Sequence, residues 1–220
     1  MISEQTEFWS KVAQSYDRVA DRQIGGQTRS MVRERLAREG PLGETVEFGC
    51  GTGFCTETLA GKADHVIATD LSPGMLDLAR SRVRAANVSL QLEDCQRTSF
   101  PDGSFDTALL SLVIHFTQPI QALKELHRIL RPGGTLIITN VDPGALTGLD
   151  RLRCFARMVY QGLVGYRAKP PKGFGRNMLT ERQLSNLLRE SGFETETTET
   201  IRDASCSSNI PVEYVRARKL

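Results

Sequence analysis

Between residues 44 and 141 the chain alternates short apolar runs with amphipathic helical ones, a rhythm that narrows the fold more than any other feature it carries. The apolar runs fall at 45–48, 65–69, 88–92, 105–110 and 135–140. Between them, apolar residues recur at helical spacing over about 54–61, 74–85 and 119–130. Strand, helix, strand units of this length join through right-handed crossovers, which predicts an α/β fold with a parallel sheet covered on both faces. Gly133-Gly134 after Pro132 predicts the turn into the fifth strand.

The flanks follow other patterns. Within the first 43 residues, two helices are predicted over 6–39, split at Gly25-Gly26. The first carries Phe8, Trp9, Val12, Tyr16 and Val19 and the second Met31, Val32 and Leu36, before Gly40-Pro41-Leu42-Gly43 ends the pattern. Residues 142–178 break the alternation with Pro143, Gly144 and Gly148, a helix-like run bearing Leu152, Phe155, Met158 and Val159, and a basic and aromatic segment over 166–177. An insertion of this length in a compact domain is usually functional, often as a lid. Thr180 then caps a helix that stops at Gly192, and two strands near 193–201 and 211–217 close the chain. The expected organisation is a single domain over 1–220: a helical cap (1–43), a ligand-binding core (44–141), a lid (142–178) and a C-terminal helix with strands (179–220).

Composition closes off several classes. With 40% hydrophobic and 25% charged residues the chain is neither disordered nor fibrous. A net charge of +2 is too small for the footprint of a dedicated nucleic-acid binder, so no nucleic-acid partner is expected. No apolar run approaches the length of a membrane span, and MISEQTEFWSK has no basic patch followed by an apolar core. The five cysteines are scattered and never form a CxxC pair, as reduced thiols of a cytoplasmic protein would be. A monomer or homodimer is expected.

The sharpest local signal is VEFGCGTGF, residues 46–54, where the first strand meets its helix. Ligands of open parallel sheets bind beyond the carboxyl ends of the strands, near the point where strand order reverses. Gly49, Gly51 and Gly53 allow positive φ and let backbone lie against a ligand. The second strand ends in Asp70, 23 residues after Glu47, where a carboxylate can accept from both hydroxyls of a ribose. Asp94 ends the third strand, placed to accept from an adenine amino group, and Leu71 and Met75 are suited to packing on a base. A dinucleotide fingerprint wants G-x-G-x-x-G around a pyrophosphate; here the pattern is G-x-G-x-G with Phe54 following, which favours a nucleoside ligand without one.

In order, EFGCGTG, ATDLSPGML, LEDCQRTSFPDGSFDTALLSLVIHF and LHRILRPGGTLIITN resemble the successive motifs of class I S-adenosylmethionine-dependent methyltransferases, nearest to the small-molecule, ubiquinone-biosynthesis-like branch. The resemblance covers 45–141 most strongly. It implies a Rossmann-like seven-stranded sheet with an antiparallel C-terminal hairpin, S-adenosyl-L-methionine as cofactor, and S-adenosyl-L-homocysteine as product. It further implies that Glu47, Gly49, Cys50, Gly51 and Gly53 surround the methionine moiety, that Asp70 holds the ribose, and that Leu71 and Met75 flank the adenine. Asp94 with the Cys95 backbone would bind the adenine edge, Ser111 would lie beside the methionyl part, and Tyr16 would fold over the cofactor.

The expected reaction is in-line methyl transfer to an O, N, S or C atom of a small-molecule acceptor, with alignment and water exclusion as the protein's task. His115, past the fourth strand, is the candidate base where the acceptor needs one. His65 and His127 read as structural. The acceptor pocket is expected from Tyr160, Tyr166, Arg167, Lys169, Phe174, Arg176 and Asn177. An alternative follows from Cys55, Cys154 and Cys206, whose layout resembles the three thiolates of arsenite methyltransferases and would suit a thiophilic acceptor. A nucleic-acid amino-methylase is disfavoured because Ser111-Leu112-Val113-Ile114 stands where an Asn/Asp-Pro-Pro-aromatic run would be, and no Pro-Cys nucleophile occurs. Two further rivals are a non-catalytic binder of the same cofactor and an NAD(P)-dependent reductase; Phe54 and the lack of a Tyr-x-x-x-Lys argue against the second.

Overall fold

The alternation is realised as a seven-stranded sheet in the order β3-β2-β1-β4-β5-β7-β6. The strands of this computed structural model are β1 (Gly43–Phe48), β2 (Ala63–Asp70), β3 (Val88–Leu92), β4 (Phe105–Ser111), β5 (Leu130–Val141), β6 (Phe193–Ile201) and β7 (Val212–Lys219). The structure describes residues 2–146, 148–154, 156, 170–171, 175, 177–205 and 210–220. The first five strands pair in parallel, and β7 runs antiparallel to both β5 and β6. Strand order therefore reverses between β1 and β4, and the cleft beyond their carboxyl ends is the natural ligand position.

Successive side chains of a strand point to opposite faces, and both faces here are dry. Ala108, Leu110, Leu136 and Ile138 face α6 (Pro119–Ile129) and α7 (Glu181–Glu190), against Leu123, Leu126, Leu184 and Leu188. Leu109, Ile137 and Tyr214 face the other core, with Leu36 of α3 (Gly26–Leu36), Leu59 of α4 (Thr56–Ala60) and Leu76 of α5 (Pro73–Arg82). Burial on both sides explains why β4 and β5 read as continuous apolar runs. Among the described residues, no helix is long and apolar enough to cross a membrane.

Two elements depart from expectation. The first cap helix is divided into α1 (Ile2–Val12), a 3-10 turn (Ala13–Ser15) and α2 (Tyr16–Ala20). The Ser15 hydroxyl donates back to the Val12 carbonyl at 3.1 Å, a local bond that competes with the helical ladder. The predicted split at Gly25 holds, with φ 100° and ψ 126°. In β5, Pro132 and the two glycines do not precede the strand but sit inside it: Leu130 already pairs with Phe105, and the register then shifts before Thr135 meets Thr107. Thr180 caps α7 through a reciprocal box with Gln183.

Candidate functional site

Beyond the ends of β1 to β4 lie two adjoining cavities, of about 690 Å³ and about 450 Å³ including their open mouths. They share Tyr16, Gly49, Gly51, Ser111 and Leu112, so they meet above the strand-order reversal.

The glycine loop makes this possible. Gly49 and Gly51 have φ of 65° and 55°, conformations that L side chains rarely adopt. A Cβ on Gly49 would collide with Val113, and one on Gly51 would lie 3.7 Å from the Tyr16 ring. Gly53, with φ 84°, lines neither cavity; it packs the loop against α5, where an added Cβ would come within 2.7 Å of Val83. Opposite the loop, Leu112 is the one described non-glycine residue with positive φ, at 60°. Its amide donates to the Thr139 carbonyl at 3.0 Å, and strain of this kind concentrates where a ligand must be met.

The larger cavity holds Asp70, Leu71, Met75, Asp94, Cys95 and Ser111 of the expected set. Asp70 Oδ2 accepts from the Gly51 amide and Oδ1 from the Ser72 amide, each at 2.9 Å. Burial pushes its carboxyl up to about 6, against those backbone donors. Asp94 Oδ1 accepts from the Gln96 amide at 2.9 Å and from its side chain at 3.2 Å.

The smaller cavity holds Glu47, Cys50 and Cys55. Burial pushes the Glu47 carboxyl up to about 7; the Thr56 hydroxyl, donating at 2.6 Å, pulls the other way and nearby Asp70 adds to the rise. Arg29 closes this end. Its guanidinium is buried, bonded to Asp17 at 3.1 Å and Asp21 at 2.6 Å, and lies 4.1 Å from the Phe54 ring centroid. Burial pushes the Tyr16 hydroxyl, at the junction, up to about 12, so it stays protonated.

His115 lies in the 3-10 turn after β4 (Ile114–Phe116), buried behind Phe116 with ring centroids 3.9 Å apart, and lines neither cavity. Burial lowers its pKa to about 4, and its Nδ1 has no hydrogen-bond partner among the described residues. His65 bonds Ser89 and His127 packs on Phe193. Of the expected acceptor residues, Asn177 donates to the Thr117 carbonyl at 2.5 Å, beside the larger cavity. Tyr160, Tyr166, Arg167, Lys169, Phe174 and Arg176 lie outside the described residues, as do Phe155, Met158, Val159 and Cys206. Burial pushes the Cys55 thiol up to about 12, and among the described residues no cluster of three or more His, Cys, Asp or Glu could hold a metal.

Sequence reasoning missed Gln5, Arg29, Leu112 and Phe116 as cavity residues and took Trp9 only as helix core. Trp9 and Tyr16, seven residues apart on the cap, carried a readable signal. Arg29 carried none, since only the fold of the cap brings it to the loop.

Comparison with known proteins agrees with this geometry. Residues 46–138 match a family described as "Methyltransferase domain". A malonyl-[acyl-carrier protein] O-methyltransferase of Serratia marcescens is 36% identical over 147 residues, covering 64% of this chain and 54% of that protein. Its namesake from Paenibacillus sp. (strain JDR-2) is 30% identical over 245 residues, covering 98% of this chain and 86% of that protein. The chain thus spans about half the length of the first relative and most of the second. A crystal structure of a SAM-dependent methyltransferase from Thermotoga maritima superposes with a TM-score of 0.71 at 25% identity, covering 98% of this chain and all of that one.

Proposed function

The chain belongs to the class I S-adenosylmethionine-dependent methyltransferases, and on that premise we propose that it transfers a methyl group to a small-molecule acceptor. One observation carries the reading. The two cavities meet at Tyr16, Ser111 and Leu112, so a ligand with a nucleoside at one end and an amino acid at the other would have its sulfur at the junction.

The residues present fit that cofactor. Each Asp70 oxygen keeps a lone pair after accepting its backbone amide, one for each ribose hydroxyl. Leu71 and Met75 offer apolar surface to the base, and Asp94 its edge acceptor. At the other end, Glu47 would take the ammonium and Arg29 the carboxylate, a pairing in which the buried cation is already oriented by Asp17 and Asp21. When bound, the cofactor supplies a methyl already activated on a sulfonium. Tyr16 covers the junction and, with Trp9 and Phe116, keeps water from it, leaving alignment of the acceptor as the remaining task.

The two malonyl-[acyl-carrier protein] O-methyltransferase relatives make a carboxylic acid oxygen on an acyl group the first acceptor to try. A carboxylate needs no base. Where an acceptor must lose a proton, His115 would have to act from behind Phe116, since it lines neither cavity, and a pKa lowered by burial to about 4 makes it a weak base. A protonated Cys55 weighs against the thiophilic alternative. Titration calorimetry tests the core of the reading: S-adenosylhomocysteine should bind at micromolar levels and NADH should not. A protein that takes NADH, or neither compound, is not this enzyme. Labelled methyl transfer to a panel of carboxylic acids and acyl thioesters then tests the acceptor.

A further inference from the structure

The nucleobase end of the larger cavity is closed by a helix outside the sheet core. α1 rides on the start of α5: the Ser10 and Ser72 hydroxyls are 2.9 Å apart, and a Cβ on Gly74 would come within 2.9 Å of the Ser10 backbone. Phe8, Val12, Ala13 and Met75 form an apolar cluster beneath the contact. Docked this way, α1 turns Gln5 and Trp9, four residues and one helical turn apart, into the cavity that also holds Met75, Asp94 and Gln96.

Gln5 is oriented by its surroundings. Its Nε2 donates to the Phe116 carbonyl at 3.3 Å, and a carbonyl can only accept, so the amide cannot be reversed without losing that bond. Gln5 makes no other hydrogen bond among the described residues, which leaves its Oε1 available as an acceptor. Trp9 is held edge-on against Phe116, with centroids 5.0 Å apart and planes at 77°. Asp94 is likewise held by Gln96, whose own Oε1 accepts from the Gln118 amide at 2.8 Å.

We infer that Gln5 selects the nucleobase: Asp94 and Gln5 Oε1 are paired acceptors that read the two N–H bonds of an exocyclic amine, while Trp9 covers the ring. This rests on the nucleoside reading of the cavity. An adenine amino group satisfies both acceptors. A hypoxanthine presents an oxygen at the same place and sets acceptor against acceptor, and a polar site left unpaired rejects such analogues strongly. The N-terminal cap is then a selectivity element as well as a cover.

The test compares S-adenosylhomocysteine with its deaminated inosyl counterpart, by calorimetry and by fluorescence of Trp9, the sole tryptophan. Wild type should prefer the adenosyl compound by well over tenfold. Gln5→Leu should narrow that preference about fivefold to tenfold, the span expected for one hydrogen bond, by weakening adenosyl binding while inosyl binding holds or improves. Trp9→Leu, read by calorimetry, should weaken both compounds together and leave their ratio unchanged. Equal losses for both compounds in Gln5→Leu would make Gln5 a helix-docking residue and overturn the inference. An unchanged ratio in the more conservative Gln5→Met would overturn it equally, even if the leucine variant misfolds. Failure of wild type to bind either compound would instead bring down the cofactor reading beneath it.

Discussion

The two ends of the joined cavities are built on different principles. The nucleobase end is shaped by Leu71, Met75, Trp9 and Phe116, with Asp94 held by the Gln96 amide and Gln5 by the Phe116 carbonyl. The amino-acid end is a buried array of titratable groups, Glu47 near 7 and a salt-bridged Arg29, with Asp70 near 6 close by in the larger cavity. One end recognises mainly by shape and fixed hydrogen bonds. The other recognises by charge in a site of low dielectric, where attraction is strong and each proton matters.

The largest expected effect falls on the shared group. Asp70→Ala should cost at least about a hundredfold in binding of both S-adenosylhomocysteine and methylthioadenosine, because the ribose belongs to both ligands and a charge-assisted pair is lost. Retained affinity for either would refute the ribose assignment. Arg29→Met should separate the ends. The full amino acid should lose about thirtyfold or more, in the range for truncating one partner of a buried charge pair. Methylthioadenosine, which lacks the amino-acid end, should change less than about threefold on the same scale. Equal losses would mean that Arg29 only supports the cap.

Acidity gives the next contrast. In the free protein the raised pKa values of Glu47 and Asp70 mean that both carboxyls gain protons as pH falls through about 7 and then about 6. Protonated carboxyls attract neither an ammonium nor a diol as well, so affinity for S-adenosylhomocysteine should fall on acidification. The slope should reach about one decade per pH unit for each proton linked. Methylthioadenosine should show only the lower step. A flat profile for both would remove Glu47 from the amino-acid site. The smallest effect concerns His115, which touches neither cavity. His115→Ala should slow turnover by less than about a hundredfold, within the range for general-base assistance, and leave cofactor affinity unchanged. An unchanged turnover would make it a packing residue behind Phe116.

This contrast also separates what was legible from what was not. Asp70, Asp94, Leu71 and Met75 sit at fixed short distances from strand ends, so local spacing was enough to find them. Gln5, Trp9 and Arg29 reach the same cavities across long sequence separations. Their arrival depends on α1 docking on α5 and on the turns at Ala13–Ser15 and Gly25. At the division of the cap helix the Ser15 hydroxyl bonds back to the Val12 carbonyl, a local feature that apolar spacing does not record. Thr180 and Gln183 were readable as a cap because both donors lie within one turn.

By itself the sequence determined the alternating core and the glycine loop, because strand and helix periods and the φ of glycine are local properties of the chain. Only the tertiary structure decided that the cap brings Gln5 into the cavity that holds Asp94, and Arg29 into the one that holds Glu47. It also decided that His115 is buried behind Phe116 and lines neither cavity. Such outcomes depend on which surfaces pack together and how far burial desolvates a charge, and neither quantity exists until the whole chain has folded.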